Sequence, residues 1–124
     1  MDKKFFVPFE TAQLLKEKGY DVDCCSYYTQ NGKLYHETFT LNNNWIRMGR
    51  FLAPTYHEVL DWLEENGIYI TTLWNIGETD KEDTYEIWWK CFVDITLHEE
   101  QVTSVYHTRE EALNEGILKA LEMI

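Results

Sequence analysis

The stretch "TYEIWWKCFVDITL", residues 84–97, limits the folds open to this chain more than any other. Tyr85, Ile87, Trp89, Cys91, Val93, Ile95 and Leu97 alternate with Thr84, Glu86, Trp88, Lys90, Phe92, Asp94 and Thr96. Successive side chains of a β-strand point to opposite sides, so the first set makes an unbroken apolar row. That period of two predicts a strand whose apolar row faces a core. Such a strand needs hydrogen-bonding neighbours and a second layer over its apolar side. Cys91 stands in the middle of the row, where a thiol behaves as a small hydrophobe.

The rest of the chain offers both. A first helix is predicted over residues 8–18: Pro8 suits the opening turn, Phe9, Ala12 and Leu15 share a side, and Gly19 ends it. A second, over 56–66, starts with the capping box Thr55/Glu58, buries Tyr56, Val59, Leu60 and Leu63, and ends at Gly67. A third, over 109–123, starts with Thr108/Glu111 and buries Ala112, Ile117, Ala120 and Leu121. Asn31-Gly32 signals a hairpin, because a type I′ turn needs positive φ at both central residues. A two-residue loop there pairs Tyr28 with Tyr35, Ser26 with Glu37 and Cys24 with Phe39. Val22, Cys24, Tyr28, Tyr35, Phe39 and Leu41 then share one face, and Cys25, Tyr27, Thr29, Leu34, His36 and Thr38 the other. Residues 68–75 read as a strand, 76–83 as an acidic loop, 98–101 as a turn and 102–106 as a short strand.

The expected fold is therefore α+β, in the order α-β-β-α-β-β-(β)-α, as a single domain over residues 1–124. Runs of adjacent strands favour a mostly antiparallel sheet, here four- to five-stranded, with three helices packed mainly on one face. "LLKEKGYDV" at 14–22 and "WLEENGIYI" at 62–70 echo one another as helix ends that enter strands, so a helix-plus-hairpin unit used twice is one reading and chance the other.

Charge narrows the partners. The net charge of −11 divides into +1 over residues 1–50 (seven Lys/Arg, six Asp/Glu) and −12 over 51–124 (four Lys/Arg, sixteen Asp/Glu). Phosphates would be repelled by the second half, so no direct nucleic-acid binding is expected. The carboxylates serve either as a solvated surface or as a face for a basic protein. No apolar run is long enough for a signal peptide or a membrane span, which predicts a cytoplasmic protein without membrane contact. Three cysteines are too few and too unevenly spaced for a disulfide framework.

Candidate chemistry is sparse. Cys24, Cys25, Cys91, His36, His57, His98 and His107 show no CxxC, HxxxH or HExxH spacing. Cys24 and Cys25 point to opposite faces of a strand, and His36 shares a predicted face only with Cys25. The loop carrying Glu78, Asp80, Glu82 and Asp83 lacks the order of a calcium-binding hand, and no phosphate-loop, dinucleotide or nucleophile-elbow motif occurs. No catalytic residue, metal ligand or cofactor is assigned. What stands out is aromatic: with the Cys91 row turned inward, Trp88 and Phe92 emerge on the opposite face, flanked by Glu86, Lys90 and Asp94. Tyr27 of the hairpin is expected to join them. Aromatics with a charged rim suit a protein–protein contact, closed by a protein partner or by a second copy in a homodimer. Residues 42–53, with Trp45, Ile46 and Phe51, are the competing cover for that face.

Three blocks, "PFETAQLLKEKGY", "APTYHEVLDWLEENGI" and "TREEALNEGILKALEMI", together resemble a family of small uncharacterised phage and prophage proteins of gut bacteria. The resemblance spans nearly the whole chain. It implies a mobile-element origin, a bacterial host cytoplasm and a compact α+β fold, and carries no activity or site residue. Two readings stay open: a binding protein acting through a homo-oligomeric contact or a basic host protein, and a small-ligand domain or enzyme with a pocket between sheet and helices near His36, Tyr35 or His57.

Overall fold

A computed structural model describes residues 3–78, 81, 82, 84–95 and 101–124. The class is α+β and every strand pairing is antiparallel. A 3₁₀ turn at Lys3–Phe5 precedes α1 (Phe9–Glu17), β1 (Cys24–Tyr28), β2 (Leu34–Leu41), β3 (Phe51–Leu52), α2 (Tyr56–Glu65), β4 (Ile68–Glu78), β5 (Tyr85–Ile95), β6 (Gln101–Val102) and α3 (Arg109–Glu122). The single sheet expected from the strand count is instead two three-stranded sheets, ordered β2-β1-β3 and β4-β5-β6. The physical reason lies in β3: this two-residue strand, read in the sequence as loop, takes the second edge of β1. No edge of β1 is then left for the later hairpin. Helices consequently serve separate sheets, α3 packing on β4 and β5 while α1 packs beside β3. The chain forms two compact units, one reaching to Trp62 and including Ile124, the other Leu63–Met123.

In the first unit, the Asn31-Gly32 hairpin forms with a different loop. Thr29 exchanges backbone hydrogen bonds with Gly32 and Lys33, and Gly32 has φ +80°. The loop is thus three residues, a turn closed by a left-handed glycine, rather than the two-residue type I′ form. One added residue shifts the pairing by one: Tyr27 faces Tyr35, Tyr28 faces Leu34, and Ser26 faces His36. His36 accordingly sits beside Ser26, not on the Cys25 face. A second irregularity between Cys24 and Ser26 brings Cys24 opposite Leu41. Val7, Leu15, Tyr20, Tyr28, Leu52 and Val59 are fully buried in this unit, and the Tyr28 hydroxyl donates to the Val7 carbonyl at 2.7 Å. The Thr55/Glu58 box forms as expected, each side chain meeting the other residue's backbone N–H.

The second unit is regular. β4 and β5 pair without interruption over eleven residues, from Ile68–Ile95 to Glu78–Tyr85. β4 runs three residues beyond its predicted end, because Ile76 and Gly77 continue the ladder into what read as loop. α3 is capped by Thr108, whose hydroxyl accepts from the Glu111 N–H at 3.2 Å. Its Ala112, Leu113, Gly116, Ile117, Ala120 and Leu121 are buried. Gly116 fixes how closely helix and sheet approach: a Cβ there would lie 3.1 Å from Cys91 Cβ and 3.4 Å from Ile70 Cγ2. Cys91 and Val93 are fully buried, but Tyr85 and Ile87 of the same row are 65% and 52% exposed. The prediction that the whole row is buried therefore fails at its outer end. A 14-residue helix spans ~21 Å, whereas an 11-residue strand spans ~36 Å, so the helix cannot cover the hairpin. Thr96 and Leu97 of the predicted strand, the 98–101 turn apart from Gln101, and Asp80 and Asp83 of the acidic loop lie outside the described residues.

Candidate functional site: the outer half of the β4–β5 hairpin

Alternation along β5 places Glu86, Trp88, Lys90, Phe92 and Asp94 on one face, opposite the Cys91 row. Four of the five residues proposed from sequence, Trp88, Phe92, Glu86 and Asp94, share that face. The fifth does not. Tyr27 belongs to the first unit and is only 5% exposed, because Arg50 lies over its ring at 4.7 Å and Tyr35 stacks on it at 5.7 Å. Lys33 over Tyr35 completes a cation–ring–ring–cation stack, which explains the burial without any partner. Residues 42–53 also have roles within the first unit: Phe51 packs edge-on against Phe9, and Trp45 is 60% exposed.

Trp88 is held rather than loose. Its indole stacks on His107 at 4.4 Å, and its Nε1 lies 2.9 Å from where a Gly77 Cβ would stand. Gly77 thereby allows the ring to lie across the neighbouring strand. Around it opens a cleft of about 420 Å³. Five consecutive residues of β4, Leu73 to Gly77, line it on one side, with Trp88, Lys90 and Val105 on the other. On the α3 side, beyond the helix, Trp74 and Ile76 are each 55% exposed beside Ile87 and Tyr85. Sequence reasoning missed Leu73, Trp74 and Ile76. The available signal was that "TLWNI" is apolar at both parities, which suits a strand wanted on two sides.

The edge itself can be read from the hydrogen bonds. Trp89 exchanges backbone bonds with Tyr106 at 2.6 and 2.7 Å, and Cys91 accepts from the Thr103 N–H. Odd residues of β5 therefore point away from β4, and its even residues make the ladder with β4. By the pairing, Leu73 and Asn75 bond to β5, while Thr72, Trp74 and Ile76 present their backbone groups to the open side. The Ile76 N–H is met there by Asn75 Oδ1, its neighbour's own side chain, at 2.8 Å.

The thiols take no part. Burial pushes Cys91 up to about 12, with Arg109 opposing weakly. Cys24 is likewise raised to about 12, first by burial and then by the Glu58 carboxylate, whose Oε2 accepts from its Sγ at 3.9 Å. Both are protonated fillers at neutral pH, and Cys25 is exposed. Among the described residues no group of three His, Cys, Asp or Glu side chains could hold a metal ion. Ser26 and His36 share a hydrogen bond of 2.6 Å, but Ser26 is only 7% exposed and engages Nδ1, and the His36 ring packs on Phe6 at 5.4 Å. As directly paired residues on adjacent strands, they read as a satisfied cross-strand contact, not as a nucleophile and base. Tyr35 is in the aromatic stack, and His57 faces solvent beside Asp61 at 3.7 Å. Neither the β4–β5 cleft nor a second cleft beside Trp45 and Arg47 is lined by His36, Tyr35 or His57.

Comparison with family models, curated proteins and solved structures gives no match. No helix among the described residues is long and apolar enough to cross a membrane.

Proposed function

We propose that this protein acts by protein–protein contact through the outer half of its β4–β5 hairpin. The observation that carries the reading is the continuous apolar exposure on its α3 side: Trp74, Ile76, Ile87 and Tyr85 are each more than half exposed, while Trp88 is fixed in place on the opposite face. Exposed apolar clusters of this kind are characteristic of contact surfaces. Following the resemblance of its helix blocks, the setting is a phage or prophage protein in the host cytoplasm, and the contact is with a host protein or a second copy. The test is replacement of Trp74 and Ile87 by serine. Partner capture or self-association should be lost while the unfolding transition stays cooperative; unchanged association would refute the contact reading.

A second reading draws on the cleft, whose ~420 Å³ falls at the lower end of small-molecule pockets. Its wall of Trp88 with Asn75 and Lys90 suits a flat aromatic compound. Quenching of tryptophan fluorescence by such a compound, abolished by Gly77→Val, would select this reading over the first.

A further inference from the structure

We infer that β4 is a receptor edge: it accepts an extended segment of a partner protein as an added strand, and that segment carries Lys or Arg at its ends. This rests on the contact reading and specifies its partner. Three independent features lead to it. The first is the backbone. Thr72, Trp74 and Ile76 offer N–H and C=O groups outward at the two-residue spacing that an incoming strand requires. The Asn75 amide on Ile76 occupies one of those donors in the absence of a partner, and a second strand would displace it.

The second feature is the lack of protection. Natural sheets guard their edges with charges, proline, bulges or short length. From Ile68 to Gly77, β4 has no charged residue and no proline, and its pairing contains no bulge. Side chains on both faces, Leu73 on one and Trp74 and Ile76 on the other, are about half exposed and would flank the added strand.

The third feature is charge, and it selects among occupants. Residues 63–123 carry fourteen carboxylates against four Lys/Arg, a net charge of −10. Exposed Glu64 and Glu65 stand just before β4, and exposed Glu82 and Glu86 stand at its far end. Lys90, a cation lining the cleft, is drawn over the Phe92 ring at 5.3 Å. A second copy pairing antiparallel through β4 would set the acidic far end of each strand against Glu64 and Glu65 of the other. Like charges opposed in that way disfavour self-pairing, whereas a strand with basic flanks meets opposite charge at both ends.

The probe is a synthetic peptide of alternating valine and threonine flanked by lysine pairs, compared with its glutamate-flanked twin. On the full chain, the lysine peptide should slow amide exchange at Thr72 and Trp74, and the glutamate peptide should bind about tenfold more weakly or not at all. Thr72→Pro removes an outward donor while leaving every apolar side chain of the surface in place, and should weaken peptide binding about tenfold with only a small fall in unfolding temperature. If that variant fails to fold, the exchange measurement on the unaltered chain decides. No protection at Thr72 and Trp74, equal binding of the two peptides, or a dimer closed through β4 without peptide would each overturn the inference. Binding lost in the Trp74/Ile87 serine variant but kept in Thr72→Pro would preserve the contact reading and reject strand addition.

Discussion

The two hairpins of this chain treat their outer strands in opposite ways. β2, the edge of the first sheet, is bulged against β1, carries His36 and Glu37 within its span, and is exposed through polar residues together with Tyr35 and Phe39. β4, the edge of the second, is straight, uncharged through Gly77, and apolar on both faces. Both strands are about equally open to solvent, so burial does not explain the difference. Irregularity and charge are devices that keep a free edge from pairing, and one edge has them while the other lacks them. Such an unguarded edge, in a chain whose net charge of −11 opposes self-association, is what the proposed strand addition would use.

The largest expected effect separates inward from outward residues of β4 itself. Thr71 pairs with Phe92 in the hydrogen-bonded register, so Thr71→Pro should lose about 2–3 kcal/mol by breaking that bond and leaving its partner unmet. Thr72→Pro, one residue on, should lose well under half as much. Urea unfolding of the two variants measures the contrast, and equal losses would break it.

Next is the close contact of α3 with β5 through Gly116. Gly116→Ala places a Cβ 3.1 Å from Cys91 Cβ and should cost about 1–3 kcal/mol, less a part of the ~1 kcal/mol that alanine returns in helix propensity. Stabilisation instead would show that α3 and β5 have slack between them.

Cys91→Ala should lower stability by ~1 kcal/mol through the small cavity left by its sulfur, with the contact surface untouched. In the folded protein a thiol reagent should modify Cys25 rapidly and spare Cys24 and Cys91. Labelling of all three at one rate would contradict the filler role.

The last effect is alkaline. Cys24 and Cys91 are raised from 9.0 to about 12, so folding holds their protons more tightly than the unfolded chain does. Their contribution is complete below pH 9 and is lost as pH rises from about 9 through 12. The drop in unfolding temperature over that window should shrink in Cys24→Ala and in Cys91→Ala, and an equal drop in both variants would assign it elsewhere.

Much of this was legible in the sequence, and the misses have physical causes. The capping boxes at Thr55 and Thr108 and the alternation of 84–97 are local signals, set by neighbours a few residues away, and each produced its element. The hairpin register depended on whether Asn31-Gly32 closes a two- or three-residue loop, a difference of one residue that moves His36 to the other face. The split into two sheets hinged on Phe51–Leu52, too short to leave a periodic trace. Of the proposed surface, Trp88 and Phe92 followed from β5 alone, whereas Tyr27 was misplaced because nothing local announces that Arg50 will cover it. Trp74 and Ile76 were missed because their exposure depends on how far α3 reaches along the sheet.

The central claim is that every second residue of β4 faces an open edge, and amide exchange of the unaltered, unliganded chain tests it most directly. Leu73 and Asn75 should be protected by β5, with Thr72 and Trp74 exchanging far faster beside them. Slow exchange at all four would mean that the edge is already paired, and the account would be wrong.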